Sequence, residues 1–252
     1  MLVASLVSPV VPTVAADPAE PAKSIIAQLV FNNTQDPADG FAGSGRPISR
    51  SSGGSRGTCD EQLVALLPSS DTLSVSATGC SLESLADLAL TTSESPIVWV
   101  HVPVLDGPTG GELVLLDENQ QALGMQTVSL SGAAGIVGIP LAAKLELDRT
   151  YSWVFTILSE PNRPSENTWV EGLLRRVDPD TDLVTALKAT TGLRDRANIW
   201  AQHGIWHEAL TALIELRQTT PNNATISQDW QDFLSSVELG AIANAPIQDC
   251  CF

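Results

Sequence analysis

Basic residues are scarce in this chain: 13 Lys and Arg stand against 29 Asp and Glu in 252 residues, a formal net charge of −16. A surface that acidic repels phosphate backbones and excludes nucleic acid as an expected partner. Long apolar runs are missing as well. The best candidate, Met1 to Ala16, is short and interrupted by Pro9 and Pro12, so no integral membrane span is expected. There are only four cysteines, two of them adjacent, and no CxxC, which is incompatible with a structural zinc site. Charged residues make up 17% and hydrophobic residues 43%, which predicts a folded chain with a substantial core.

What is present divides the chain into four parts. Residues 1–16 end in Val14-Ala15-Ala16 before Asp17, small residues of the kind found at a signal-peptide cleavage site. That predicts an exported product, periplasmic or secreted. Residues 17–58 are rich in Pro, Gly, Ser and Asn and read as an arm or linker, with Ile25 to Phe31 its one stretch able to dock as a strand or short helix. The arm is electrically neutral, whereas residues 59–177 and 178–252 are both acidic. Cys59, Cys80, Cys250 and Cys251 allow three full pairings. Cys59–Cys80 is the favoured one, and Cys250-Cys251 could close a vicinal ring, staple the tail or stay reduced. A disulfide fits export.

Residues 59–177 read as a β-sandwich. Ile97 to Val104 alternates Val98, Val100 and Val102 against Trp99 and His101, the period of a strand. Further strands are expected at Glu112 to Asp117, Ala122 to Leu130, Gly135 to Pro140, Thr150 to Leu158 and Thr168 to Val177, with a short helix before them at Ser81 to Leu90. Tyr151, Trp153, Phe155 and Ile157 share one strand face and predict its core. Leu147-Asp-Arg-Thr-Tyr151 is similar to the tyrosine corner of immunoglobulin- and fibronectin-like antiparallel sandwiches, which implies that the Tyr151 hydroxyl bonds to upstream backbone.

Residues 178–252 turn helical. Helices are expected over Asp182 to Thr190, Leu193 to His203 and Trp206 to Thr219, with a fourth launched through Val237 by a capping box of Thr225 and Gln228. Trp200 to Pro221 resembles the second half of a tetratricopeptide repeat, with Gly204 at the turn, Trp206 at the following aromatic position and Ala209 at the small crossing position. One such unit cannot bury its own faces and must pack on neighbours.

Several of these pieces together are similar to an uncharacterised bacterial, cyanobacterial-type family, the domain of unknown function DUF928. They are Arg46 to Cys59, Ser95 to Pro103, Leu145 to Trp153, Trp169 to Arg176, Ile199 to Pro221, Asp229-Trp230 and Cys250-Cys251. The chain departs from the family pattern at Leu73 to Glu94, which reads as longer here and adds Cys80, and at Ser159, where the resemblance implies Cys in many relatives. The resemblance implies a shared fold and export. It supplies no activity.

The motifs that tempt a chemical reading have simpler alternatives. Gly53-Gly-Ser-Arg-Gly57 matches GxSxG at Ser55, but no apolar strand precedes it as a nucleophile elbow requires. Arg46, Arg50 and Arg56 in the same arm could meet an anion or pair with the acidic body. His203, His207 and Glu208 suggest a metal, yet Gly204 and Ile205 place a turn between the imidazoles, so hydrogen bonding is the expected role. His101 is expected to be half-exposed. Asp178, Asp180 and Asp182 imitate a calcium loop without its Gly and Glu and are expected at a helix N-terminus instead. Trp200, Trp206 and Trp230 read as core between helices and sandwich, with a carbohydrate platform as the lesser alternative. The expectation is therefore an exported, non-catalytic interaction or scaffold module with an unidentified protein partner and no cofactor. Alternatives are a glycan- or small-ligand-binding sandwich and, least favoured, a Ser55 hydrolase.

Overall fold

The computed structural model describes residues 28–32, 61–69, 88–159, 163, 165 and 167–248. The described strands are β1 (Val64–Ala65), β2 (Ala89–Thr91), β3 (Ile97–Val102), β4 (Thr109–Leu116), β5 (Ala122–Leu130), β6 (Gly135–Pro140), β7 (Thr150–Leu158) and β8 (Trp169–Arg176). The helices α1 (Thr181–Ala189), α2 (Leu193–Gln202), α3 (Trp206–Thr219) and α4 (Ala224–Ser235) follow, then a 3-10 turn at Gly240–Ile242. The strands form a three-stranded sheet, β1-β3-β6, and a five-stranded sheet, β2-β8-β7-β4-β5. The architecture is thus α+β and sandwich-like, with the helices C-terminal.

The alternation read in the sequence sets the faces. Tyr151, Trp153, Phe155 and Ile157 are all buried on one side of β7. Their bulk needs room, and glycine on the neighbouring strand supplies it. Gly172 stands opposite Trp153, and Gly138 opposite Trp99. A Cβ at Gly138 would lie 2.5 Å from the Trp99 ring, and one at Gly172 would lie 2.6 Å from that of Trp153. The Tyr151 hydroxyl accepts a hydrogen bond from the Glu146 backbone N–H at 3.0 Å, tying the strand entrance to the loop before it.

Three expectations need correction. Ala89–Thr91 is a strand where a helix was expected to run to Leu90: the free edge of β8 offers these residues a ladder, at the register Ala89↔Leu174, and Ser81 to Asp87 of that expected helix lie outside the described residues. That pair is parallel, so the larger sheet is mixed where a purely antiparallel sandwich was expected. His101 is 1% exposed rather than half-exposed, with its Nδ1 3.0 Å from the Gln62 carbonyl. β3 carries buried residues on both faces, which alternation alone cannot reveal.

The helices join the same core. α2 ends in a Schellman turn: Gly204 takes φ 71°, the Ile205 N–H reaches the Trp200 carbonyl at 2.9 Å, and the Gly204 N–H reaches that of Ala201 at 3.2 Å. A left-handed residue is needed there, and glycine adopts it without strain. Ala197, Ala201 and Ala209 are fully buried where α2 and α3 pack together. Trp206 stacks on Phe233 of α4 with ring centroids 4.9 Å apart, meets Phe31 edge-on at 4.8 Å, and donates from its indole to the Leu66 carbonyl at 2.9 Å. The arm residues Leu29 and Phe31 therefore do dock, as irregular chain rather than strand or helix.

Candidate functional site

Glu208 lies in the first turn of α3, and its carboxylate reaches across to the corner that follows β2. One oxygen, Oε1, accepts from the Thr91 hydroxyl at 2.8 Å, the Thr92 N–H at 2.8 Å, the Thr92 hydroxyl at 2.9 Å and the Ser93 N–H at 2.9 Å. A charged acceptor serving two backbone N–H groups and two hydroxyls is a strong clamp. It fixes the chain between β2 and β3 onto the helix. The neighbouring His207 is 3% exposed, and its Nδ1 lies 3.1 Å from the Ile97 carbonyl at the start of β3. A carbonyl only accepts, so Nδ1 carries the hydrogen and Nε2 presents a bare lone pair. Burial pushes the His207 imidazole below its ordinary value, against the smaller upward pull of the Glu208 charge and the Ile97 carbonyl, so it is neutral at pH 7.

Beside these residues lies a cavity of about 260 Å³. Ser93, Ser95, Pro96 and Ile97 line it from the corner and β3, Leu193 and Trp200 from α2, and His207, Glu208, Thr211, Ala212 and Glu215 from α3. Thr211 is held from behind, its hydroxyl accepting from the Trp99 indole at 3.0 Å. Among the described residues four buried side-chain polar atoms have no hydrogen-bond partner: Trp153 Nε1, Trp200 Nε1, His207 Nε2 and Glu208 Oε2. The last three belong to residues of this one lining. Orphaned buried polar groups each cost about 1–3 kcal/mol, so three on residues of one lining is an arrangement that the folded state alone does not reward.

The residues singled out in the sequence are placed differently. His203 sits with its Nδ1 3.9 Å from an Asp180 carboxylate oxygen, and His207 turns to Ile97, so the two imidazoles have separate partners rather than a common ion. No group of three metal-ligating side chains occurs among the described residues. Asp180 is the N-cap of α1, accepting from the Leu183 N–H at 2.7 Å, the helix-terminal role expected of that acidic run. Trp206 and Trp230 are fully buried, whereas Trp200 is part-exposed and lines the cavity. Ser55, Arg46, Arg50, Arg56 and the four cysteines Cys59, Cys80, Cys250 and Cys251 lie outside the described residues.

The family model for the Domain of Unknown Function DUF928 matches residues 51–247. The chain belongs to that family. No curated protein matches this DUF928 protein. Among the described residues, the matched span contains both sheets, all four helices and every residue lining the cavity. No described helix of the DUF928 protein is long and apolar enough to cross a membrane. Sequence reasoning passed over its Glu208 clamp because Thr91 to Ser93 lie 115 to 117 positions away, and no local pattern links groups that far apart.

Proposed function

We propose that this DUF928 protein is an exported, non-catalytic binding protein whose small-ligand site is the cavity between the β2–β3 corner and helices α2 and α3. One observation carries the reading: three of the four partnerless buried polar atoms among the described residues belong to residues that line that cavity. A ligand that completes those hydrogen bonds converts a standing cost into affinity. The mostly apolar lining with a few convergent polar groups is the usual make-up of a small-molecule site. Export is supported by the Val14-Ala15-Ala16 pattern after an apolar run. The immunoglobulin- or fibronectin-like reading of the sandwich draws support from the Tyr151–Glu146 bond, and the repeat-like reading of α2 and α3 from the Gly204 turn and buried Ala209.

A specific observation also favours the protein-interaction reading. β5 is an edge of the larger sheet, and it exposes Leu123 at 46% and Met125 at 62%. Exposed apolar side chains on an edge strand suit pairing with a partner's strand.

The two readings separate in one measurement. A thermal-shift screen of small polar-headed fragments against the full chain is expected to yield stabilising hits that perturb the Trp200 indole N–H resonance. A screen without any such hit, alongside a partner-induced perturbation confined to β5, would replace the ligand reading by the interaction reading.

A further inference from the structure

The edge strand β5 names its own partner, an inference that rests on the protein-interaction reading of that strand. β5 is nine residues long and lies at one edge of the larger sheet, and among the described residues no strand pairs with its outer side. An open edge of that length is usually blunted by charge, by Pro or by a short run. β5 has none of these. From Asn119 to Ala143 no charged residue occurs, in a chain that is 17% charged. The register shifts only at its beginning, opposite Leu115 and Leu116. Gly124 to Leu130 then runs in unbroken register with Thr109 to Leu115 of β4, and Thr127 is the midpoint of that stretch. Met125 and Thr127 share the outer face of the sheet, Met125 at 62% exposure and Thr127 exposed beside it.

Charge decides the occupant. A different protein drawn to a chain of net charge −16 is steered by carboxylates, and β5 offers it none. A second copy has the opposite requirement. About a two-fold axis each residue of the strand faces itself or a near neighbour, so any charge there would oppose its own kind. Glu112 of β4 stands one strand in, paired with Thr127. Across a joint of two β5 strands the two Glu112 are three strand spacings, or about 14 Å, apart, which exceeds the screening length of ~8 Å at physiological salt. The other edge of the sheet, β2, has three residues, and Glu208 holds the corner that follows it. Each copy thus offers one long edge, and pairing closes at two.

We infer that two copies of this DUF928 protein pair antiparallel through β5 about a two-fold axis at Thr127, joining their larger sheets into one. Thr127 then faces Thr127 of the second copy, and Gln126 faces its Val128. A single strand pair is a small interface, so the dimer is reversible and forms in the micromolar range or above.

Sedimentation equilibrium of the full chain from ~10 µM to ~0.5 mM tests this, and a monomer–dimer equilibrium without larger species is expected. Thr127→Lys and Thr127→Asp each set like charges face to face on the axis, and each is expected to weaken the dimer about tenfold. An equal mixture of the two variants places Lys opposite Asp and is expected to restore it. Only a residue that meets itself gives that pattern. Thr127 is exposed, so folding is not at stake; should Thr127→Asp misfold beside Glu112, the Lys variant decides, its dimer returning as salt screens the repulsion. A dimer that neither variant weakens, or that mixing does not restore, overturns pairing at Thr127. Growth beyond the dimer overturns the closed pair. A chain monomeric throughout overturns the second copy as occupant; a partner-induced perturbation of β5 then leaves the interaction reading standing, and its absence removes both.

Discussion

His207 couples the candidate site to stability through a single proton. Its Nδ1–H is committed to the Ile97 carbonyl, and burial holds the imidazole below its ordinary value of 6.5. In the unfolded chain the same side chain takes up a proton near pH 6.5, while in the folded chain it resists protonation. The unfolded state therefore binds more protons below pH 6.5, so this contribution is complete above that pH and is lost as pH falls below it. The loss sets in above the range in which most carboxylates titrate. His207→Gln, whose amide can still donate to Ile97, is expected to show a smaller drop in urea midpoint between pH 7.5 and 5.5. Identical drops in the two proteins would contradict the assignment. The sequence singled out His207 through its proximity to His203, and that reason was misleading. What makes it unusual is a carbonyl 110 positions away, which no local spacing can announce.

At the scale of elements, periodicity was a good guide and termini were a poorer one. β5, β6 and β7 match the expected strands, and α1, α2 and α3 match the expected helices to within a residue at each end. Each of these carries a recurring apolar pattern or a glycine stop. β2 has only Ala-Leu-Thr, too short for any period, and exists because β8 has a free edge. The start of α4 shows how local signals compete. Thr225 and Gln228 form a plausible capping box, yet the helix begins earlier. Asn223 is the cap, its Oδ1 accepting from the Thr225 N–H at 3.0 Å and the Ile226 N–H at 3.3 Å, while Gln228 donates to Asp232 at 2.8 Å. Asn outranks Thr as a cap, and here it reaches two orphan N–H groups. Asn223→Ala is accordingly expected to cost about 1 kcal/mol in chemical denaturation, and Thr225→Ala less than about 0.5 kcal/mol. The reverse order would restore the capping box.

At the scale of the whole molecule, the decisive feature is that sheets and helices share one buried cluster. Leu63 to Leu67, Val100, Trp153, Trp206, Phe233 and Ile242 all belong to it. Amphipathic patterns in the sequence marked which faces would be buried, but not against what, because the partner of each face is set by the tertiary path of the chain. Trp206 is the tie. It is fully buried between Phe31 and Phe233, and its indole hydrogen bonds to Leu66 next to β1. A helical unit anchored in this way cannot melt while the sheets stay intact, since its departure would strand Leu66 and open the core to water. Urea unfolding followed by helical far-ultraviolet circular dichroism and by near-ultraviolet aromatic signal is expected to give coincident transitions. Trp206→Leu removes stacking, an edge contact and a buried hydrogen bond, and is expected to lower both transitions together by about 3 kcal/mol. If the helical signal in that variant fell well before the aromatic signal of the sheets, the helices would be a separable module. The cavity between them would then be an accident of docking rather than a built site.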